Sequence, residues 1–273
     1  MEREKIFEHG LELTENDKHR EALALFLTLA NDTNNVLEKA GLLLNASHAF
    51  KELREFDTAR QHLTSVRHLL ALPTGNEETE IDEDDRRGLL IGAELEDARI
   101  SAGENRLTEA VEKLNAILAT HKAYLGRESF AGILQLVQKD LAFLLVDLRR
   151  CEQALHLLED LNGKMPQDNW INFYLGYCYL QQNKHEEARE KLEQTLQLGL
   201  PPDFLGRARC ALGAAFYGLG DYARAKSELE AGVQTASSRY VKEAGIWKCL
   251  EYTCTGLGLK SEAERYRGLA NAS

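Results

Sequence analysis

A small residue that returns at a regular interval inside helical-period segments constrains this chain more than any other feature. The alanines are Ala22, Ala59, Ala110, Ala154, Ala188, Ala225 and Ala263, separated by 37, 51, 44, 34, 37 and 38 residues. Each opens an amphipathic segment. In 186–198 the small and apolar residues Ala188, Leu192, Thr195 and Leu196 form one helical stripe. The segment before it, 169–182, sets Leu175, Gly176 and Tyr179 on one face, and the polar turn Gln182-Asn183-Lys184-His185 joins the two. The hairpin recurs with Leu212-Gly213, Phe216, Ala225 and Leu229, and again with Leu250, Cys254 and Ala263. Upstream, Leu141-Ala142 and Leu145 precede Ala154 and Leu158. Where two helices cross, a small residue on one lets the backbone of the other approach, and larger neighbours fill the flanks. One hairpin cannot bury both of its faces, so the copies must stack.

These residues resemble the tetratricopeptide repeat. That family's pattern runs Trp-x2-Leu-Gly-x2-Tyr, then Ala-x3-Phe, then Pro, over about 34 residues. The best copy has Leu175-Gly176-x2-Tyr179 and Ala188-x3-Leu192; Asn172 fills the tryptophan slot, with Trp170 two residues earlier. Leu212-Gly213-x2-Phe216 with Ala225-x3-Leu229 matches nearly as well. The likeness is strong over 135–270 and loose over 1–134, where Leu-Gly is missing. It implies an all-α, right-handed superhelical solenoid of about seven hairpins, or about 14 helices. The expected layout is one solenoid over 1–273: two degenerate hairpins in 1–72, an acidic insert at 73–85, a long degenerate repeat at 86–134 and four clearer repeats in 135–273.

Composition limits the function classes. Lys plus Arg total 33 and Asp plus Glu 44, a formal charge of −11, which opposes binding to a phosphate backbone. The longest continuous apolar runs are short, Leu141–Val146 being six residues, against about 20 for a bilayer span, so no membrane is expected. The charged start Met1-Glu2-Arg3-Glu4-Lys5 leads into no apolar signal core. Five cysteines without a Cys-x-x-Cys pair suggest neither a disulfide framework nor a zinc knuckle, and a reducing, cytoplasmic setting is expected. Seven of the nine residues 77–85 are acidic; they read as a solvated loop running into a helix N-terminus that favours carboxylates.

The motifs of chemistry are near-misses. His185-Glu186-Glu187-Ala188-Arg189 has arginine where a zinc protease needs its second histidine. Gly218-x-Gly220-x-x-Ala223 joins two helices, whereas a dinucleotide loop must follow a strand. Leu259 interrupts a Gly-Lys-Ser phosphate loop. No catalytic residue, cofactor or metal is therefore expected. A small-molecule enzyme and an RNA-binding repeat protein rank behind a binding module.

At about 100° per residue, Trp170, Phe173 and Tyr177 form a stripe nearly opposite Leu175, Gly176 and Tyr179. The resemblance implies that this stripe lines the concave groove. Its counterparts are Lys139 and Phe143 before it and Arg207, Tyr217, Lys248 and Tyr252 after it, with Arg99 and the pair His48 and Lys51 upstream. Arg99, Lys139, Phe143, Trp170, Phe173, Tyr177, Arg207, Tyr217, Lys248 and Tyr252 are thus the expected partner-binding residues. Aromatic side chains give large burial at low rotamer cost, and Arg and Lys recognise carboxylates. The slots where chaperone-tail binders place Asn hold Phe143, Tyr177, Ala214 and Tyr252, which disfavours that role. The leading expectation is a scaffold holding a protein or peptide segment that carries acidic groups. The alternative is a regulator whose superhelix changes pitch on binding a peptide. A monomer is favoured over self-association through the end repeats.

Overall fold

The computed structural model describes residues 2–71, 82–235 and 244–272. All regular structure in them is helical. In chain order the α-helices are α1 (Glu2–Glu15), α2 (His19–Asn31), α3 (Val36–Glu52), α4 (Phe56–Ala71), α5 (Glu83–Gly103), α6 (Leu107–Thr120) and the one-turn α7 (Lys122–Leu125). A 3₁₀ turn, Glu128–Phe130, leads into α8 (Ala131–Asp147) and α9 (Cys151–Lys164). Then come α10 (Asn169–Gln181), α11 (His185–Leu198), α12 (Pro202–Gly218), α13 (Tyr222–Thr235), α14 (Ala244–Gly256) and α15 (Lys260–Ala272). The chain forms two compact units, Met1–Leu144 and Leu145–Ser273. The first pairs α1 with α2, α3 with α4 and α5 with α6; the second pairs α10 with α11, α12 with α13 and α14 with α15.

One turn geometry repeats seven times. Asp17, Arg54, Asn105, Arg149, Asn183, Gly220 and Gly258 all have positive φ, between 58° and 79°. Each stands five residues before a marker alanine. The N–H of the residue after it, from Lys18 to Leu259, donates back into the first helix at 2.8–3.0 Å. The left-handed residue's own N–H closes the second, shorter ring, as Asp17 does to Thr14 and Gly258 to Thr255. This is a Schellman stop, which satisfies carbonyls that a helix end would otherwise leave open. The alanine N–H then bonds the first carbonyl of the next helix at 2.9–3.2 Å. Turn and alanine are therefore one device, and all seven alanines are at most 5 % exposed.

The close approach predicted for glycine is present. A Cβ on Gly176 would lie 2.6 Å from Leu192 Cγ. On Gly213 it would lie 2.6 Å from Leu229 Cγ and 3.0 Å from the Ala225 carbonyl oxygen. In the first unit the equivalent slot, seven residues before the left-handed one, holds Gly10, Ser47 and Ala98. All three are buried, so the small residue persists where Leu-Gly as a motif is absent. Ser47 Oγ uses the proximity to donate to the Ala59 carbonyl at 3.0 Å. A second glycine series joins successive hairpins: Gly103 faces the Phe56 ring, Gly218 the His185 ring and Gly256 the Tyr222 ring.

The longer spacings resolve into specific elements. The 21-residue α5 is the longest described helix, and α7 with the 3₁₀ turn is inserted after α6. The acidic insert predicted at 73–85 lies outside the described residues as far as 81. Its end is described: Asp82 caps α5, its Oδ1 accepting from the Asp84 N–H at 2.8 Å, with Glu83, Asp84 and Asp85 in the first turn. One helix is more apolar than its continuous apolar runs suggest. Glu128–Asp147 is 20 residues with a mean hydropathy of 1.4, long and apolar enough to cross a membrane by composition. Here Val137, Leu141, Ala142, Leu145 and Val146 are buried in protein, and mid-helix Asp140 accepts from Arg99 at 2.6 Å.

A left-handed conformation costs an L-residue about 1 kcal/mol or more that glycine avoids. The exposed Arg54 at φ 62° gives a test. Arg54→Gly is expected to stabilise the chain by about 1 kcal/mol, and Gly213→Ala to destabilise it by about 1–3 kcal/mol through overpacking against backbone. Thermal melts followed by circular dichroism measure both; a Gly213→Ala protein melting at or above wild type would refute the close-approach account.

Candidate functional site

Two recesses lie along the first helices of the hairpins, one in each unit. In the second unit, Val146, Asp147, Arg149, Phe173, Tyr174, Tyr177 and Arg207 surround a cavity of about 90 Å³. Arg149 reaches it from the left-handed position of the α8–α9 turn. Its Nη1 donates to the Tyr177 hydroxyl at 2.5 Å, and its guanidinium lies 5.7 Å from the ring centroid. Arg207 of α12 lies 5.3 Å from the Phe204 centroid and 5.9 Å from that of Phe173. A guanidinium stacked on aromatic rings is oriented without losing its charge. Burial first, and then the charge of Asp147 against that of Arg207, pushes the Tyr174 hydroxyl up, so it remains a donor. The recess therefore offers two guanidiniums, two tyrosine rings and one carboxylate, a local excess of positive charge in an acidic chain.

An aromatic cluster stiffens this wall. The Trp170 centroid is 4.6 Å from Phe204 and 6.5 Å from Phe173, and Phe173 is 5.3 Å from Tyr174, all edge to face. Asp168 caps α10 by accepting from the Trp170 and Ile171 N–H groups, which fixes the helix phase.

In the first unit, Lys51, Ala98, Arg99, Ala102, Leu114, Asp140, Phe143 and Leu144 line a recess of about 280 Å³. Its charged groups are paired with one another. Arg99 Nε donates to Asp140 Oδ2 at 2.6 Å, and Arg99 Nη1 is 3.5 Å from Glu96 Oε2. Lys51 Nζ is 2.5 Å from Glu52 and 3.7 Å from Glu96, and His48 Nδ1 donates to Glu96 at 3.1 Å. Glu96 is 4 % exposed. Burial alone would raise its carboxyl; the His48 hydrogen bond and the charges of Lys51, His48 and Arg99 outweigh that and hold it at about 2.

The expected binding residues divide accordingly. Phe173, Tyr177 and Arg207 meet at the second unit's recess, with Trp170 bracing them. Phe173 is 2 % exposed, so it forms the recess floor and is not presented to solvent as the stripe alone suggested. Arg99 and Phe143 line the first unit's recess, and Lys139 Nζ lies 5.7 Å from the Phe143 centroid without lining it. The Arg99 charge faces Asp140 and Glu96. Tyr217 packs on Tyr222 at 5.7 Å, with Tyr252 of α14 near enough to act on its hydroxyl. Tyr252 is 53 % exposed, and Lys248 is exposed on the same helix. Arg149, Asp147 and Tyr174, and likewise Asp140 and Glu96, were not among the expected residues.

The Glu96 cluster makes a pH prediction. A carboxyl whose folded pKa lies below its ordinary value of 4.5 stabilises fully above that value. The contribution disappears as pH falls towards about 2. Glu96→Gln is expected to lower stability by roughly 3 kcal/mol at neutral pH and to flatten the acid limb between those values. Urea unfolding at a series of pH values reads this. An acid limb unchanged by the substitution would show that Glu96 is not held charged.

No protein-family model matches the chain, and no curated protein matches its sequence. Solved structures do match its fold. A signal-transduction ATPase with a tetratricopeptide repeat sensor from Pyrococcus horikoshii aligns at a TM-score of 0.69 with 13 % identity, over 98 % of this chain and 41 % of that one. A chain of the APC/C hetero-tetramer Cut9–Hcn1 aligns at 0.65 with 14 % identity, over 97 % of this chain and 45 % of that one. MamA (MSR-1) aligns at 0.50 with 20 % identity, over 68 % of this chain and 95 % of that one. The chain spans less than half the length of the first two. The seven Schellman turns, the buried alanine five residues after each and these neighbours identify the architecture: the chain has the tetratricopeptide-repeat fold.

Proposed function

We propose that this chain is a non-catalytic protein-binding module that grips an acidic group of a partner segment at the Arg149–Arg207 recess. One observation carries the reading. Two oriented guanidiniums and the Tyr174 and Tyr177 rings line a single recess in a chain whose formal charge is −11. Guanidiniums held against aromatic rings suit planar oxyanions, and tyrosines add contact area at low entropic cost. The aromatic brace behind Phe173 favours a preformed site, which lowers the ordering cost of binding. A cavity of about 90 Å³ admits one small group and not a whole substrate, which favours recognition over chemistry. The five cysteines are free, four of them buried, and we place the chain in a reducing, cytoplasmic setting on that basis.

The test is affinity capture read by mass spectrometry, run with wild type beside Arg149→Gln/Arg207→Gln. Circular dichroism first checks that the variant stays helical. The expected partner is retained by wild type, released by salt and lost by the variant, with affinity falling roughly tenfold or more per arginine. A partner held equally by both proteins would overturn the assignment of the site.

A further inference from the structure

We propose that Cys151 and Cys178 form a two-thiol oxidation site, which answers hydrogen peroxide by cross-linking two consecutive hairpins through a disulfide. Cys151 is the first residue of α9, directly after the turn that carries Arg149, and Cys178 follows Tyr177 on α10. The two helices belong to different hairpins and pack against each other. Arg149 and Tyr177 already join the same two segments by a hydrogen bond. Both cysteines are free, and their side chains are hydrogen-bonded to one another. Cys151 is 6 % exposed and Cys178 is fully buried. Two thiols held side chain to side chain across an interface need little movement to bond.

Their surroundings assign the two sulfurs different parts. Cys151 stands in the first turn of α9, where open N–H groups favour an anion, and it keeps slight contact with solvent. Burial first, and then the neighbouring Cys151, push the Cys178 thiol up, so it stays protonated. The Cys151 thiolate attacks one peroxide oxygen, the O–O bond breaks, and the departing hydroxide takes up a proton to become water. Cys151 is left as a sulfenic acid. The Cys178 sulfur then attacks the Cys151 sulfur, the S–O bond breaks, and the Cys178 proton leaves with the hydroxyl as a second water. The two thiols lose two electrons and the peroxide gains them. Exposure alone would pick a different residue: Cys249 is the one cysteine that is not buried, and its thiol is hydrogen-bonded to Thr253. In a reducing setting a disulfide of this kind is transient and reports an oxidant.

The experiment treats the full folded chain with hydrogen peroxide, then unfolds it in iodoacetamide and reads intact mass and peptide maps. The expected product has lost two hydrogen atoms and yields a peptide cross-linked from Cys151 to Cys178. It melts several degrees above the reduced chain and returns to it with dithiothreitol. Cys249→Ser is expected to keep the cross-link, and Cys151→Ala and Cys178→Ala each to abolish it. Oxygen added at Cys249 while Cys151 and Cys178 are still alkylated overturns the proposal. So does a cross-link between any other pair, or a chain that peroxide leaves unchanged. These deciding readings are made on wild type, so they stand even where a variant fails to fold. They need no bound partner and leave Arg149 and Arg207 in place, so they succeed or fail independently of the capture experiment.

Discussion

The left-handed residue that ends every first helix is the constraint on which the hairpins depend. It reverses the chain within three residues and closes two hydrogen bonds onto the helix it terminates. It also delivers the next helix in a fixed phase, so the fifth residue onward always meets the first helix. Only a small side chain fits there, which explains why alanine fills the position in all seven turns. Five of the seven pivots are not glycine. The cost of a left-handed L-residue is borne five times, so the hydrogen-bonded stop and the packing beyond it must outweigh it.

That coupling explains what could be read directly from the amino acids. Alanine is small enough to be a visible marker, and its neighbours keep a helical period, so hairpins and boundaries were legible almost throughout. The first half departs from the repeat pattern because it lacks Leu-Gly as a pair. The close approach needs only the second residue to be small, and Gly10, Ser47 and Ala98 meet that need without leucine before them. The site was less legible. Tyr177 and Arg207 lie on a stripe that helical arithmetic finds. Arg149 lies in a turn, where its polarity looks like ordinary solvent exposure; only the three-dimensional reversal brings it beside Tyr177. Asp140 and Glu96 fall on the same helical faces as Phe143 and Arg99, and only the folded chain shows them paired with the cations of the groove.

The two recesses show how one scaffold position can be given different chemistry. Both are lined mainly by residues of first helices. What differs is the balance of charge. Around Glu96, Lys51 and Arg99 face three carboxylates, Glu52, Glu96 and Asp140, which holds the side chains in place. Around Arg207, two guanidiniums and one carboxylate line the recess, and the guanidiniums rest on rings.

The constancy of the turns also governs where this architecture can grow. In all seven described hairpins three residues separate the paired helices, whereas among the described links that after α11 has 3 residues, those after α2 and α9 have 4, and that after α6 holds α7 and a 3₁₀ turn. A residue added within a turn would rotate the second helix by about 100° and turn its alanine away from the first. A residue added between hairpins leaves both partners in phase. The linkers are therefore the ports at which extra sequence, from a single loop to a whole folded domain, enters such a chain without disturbing what it already holds.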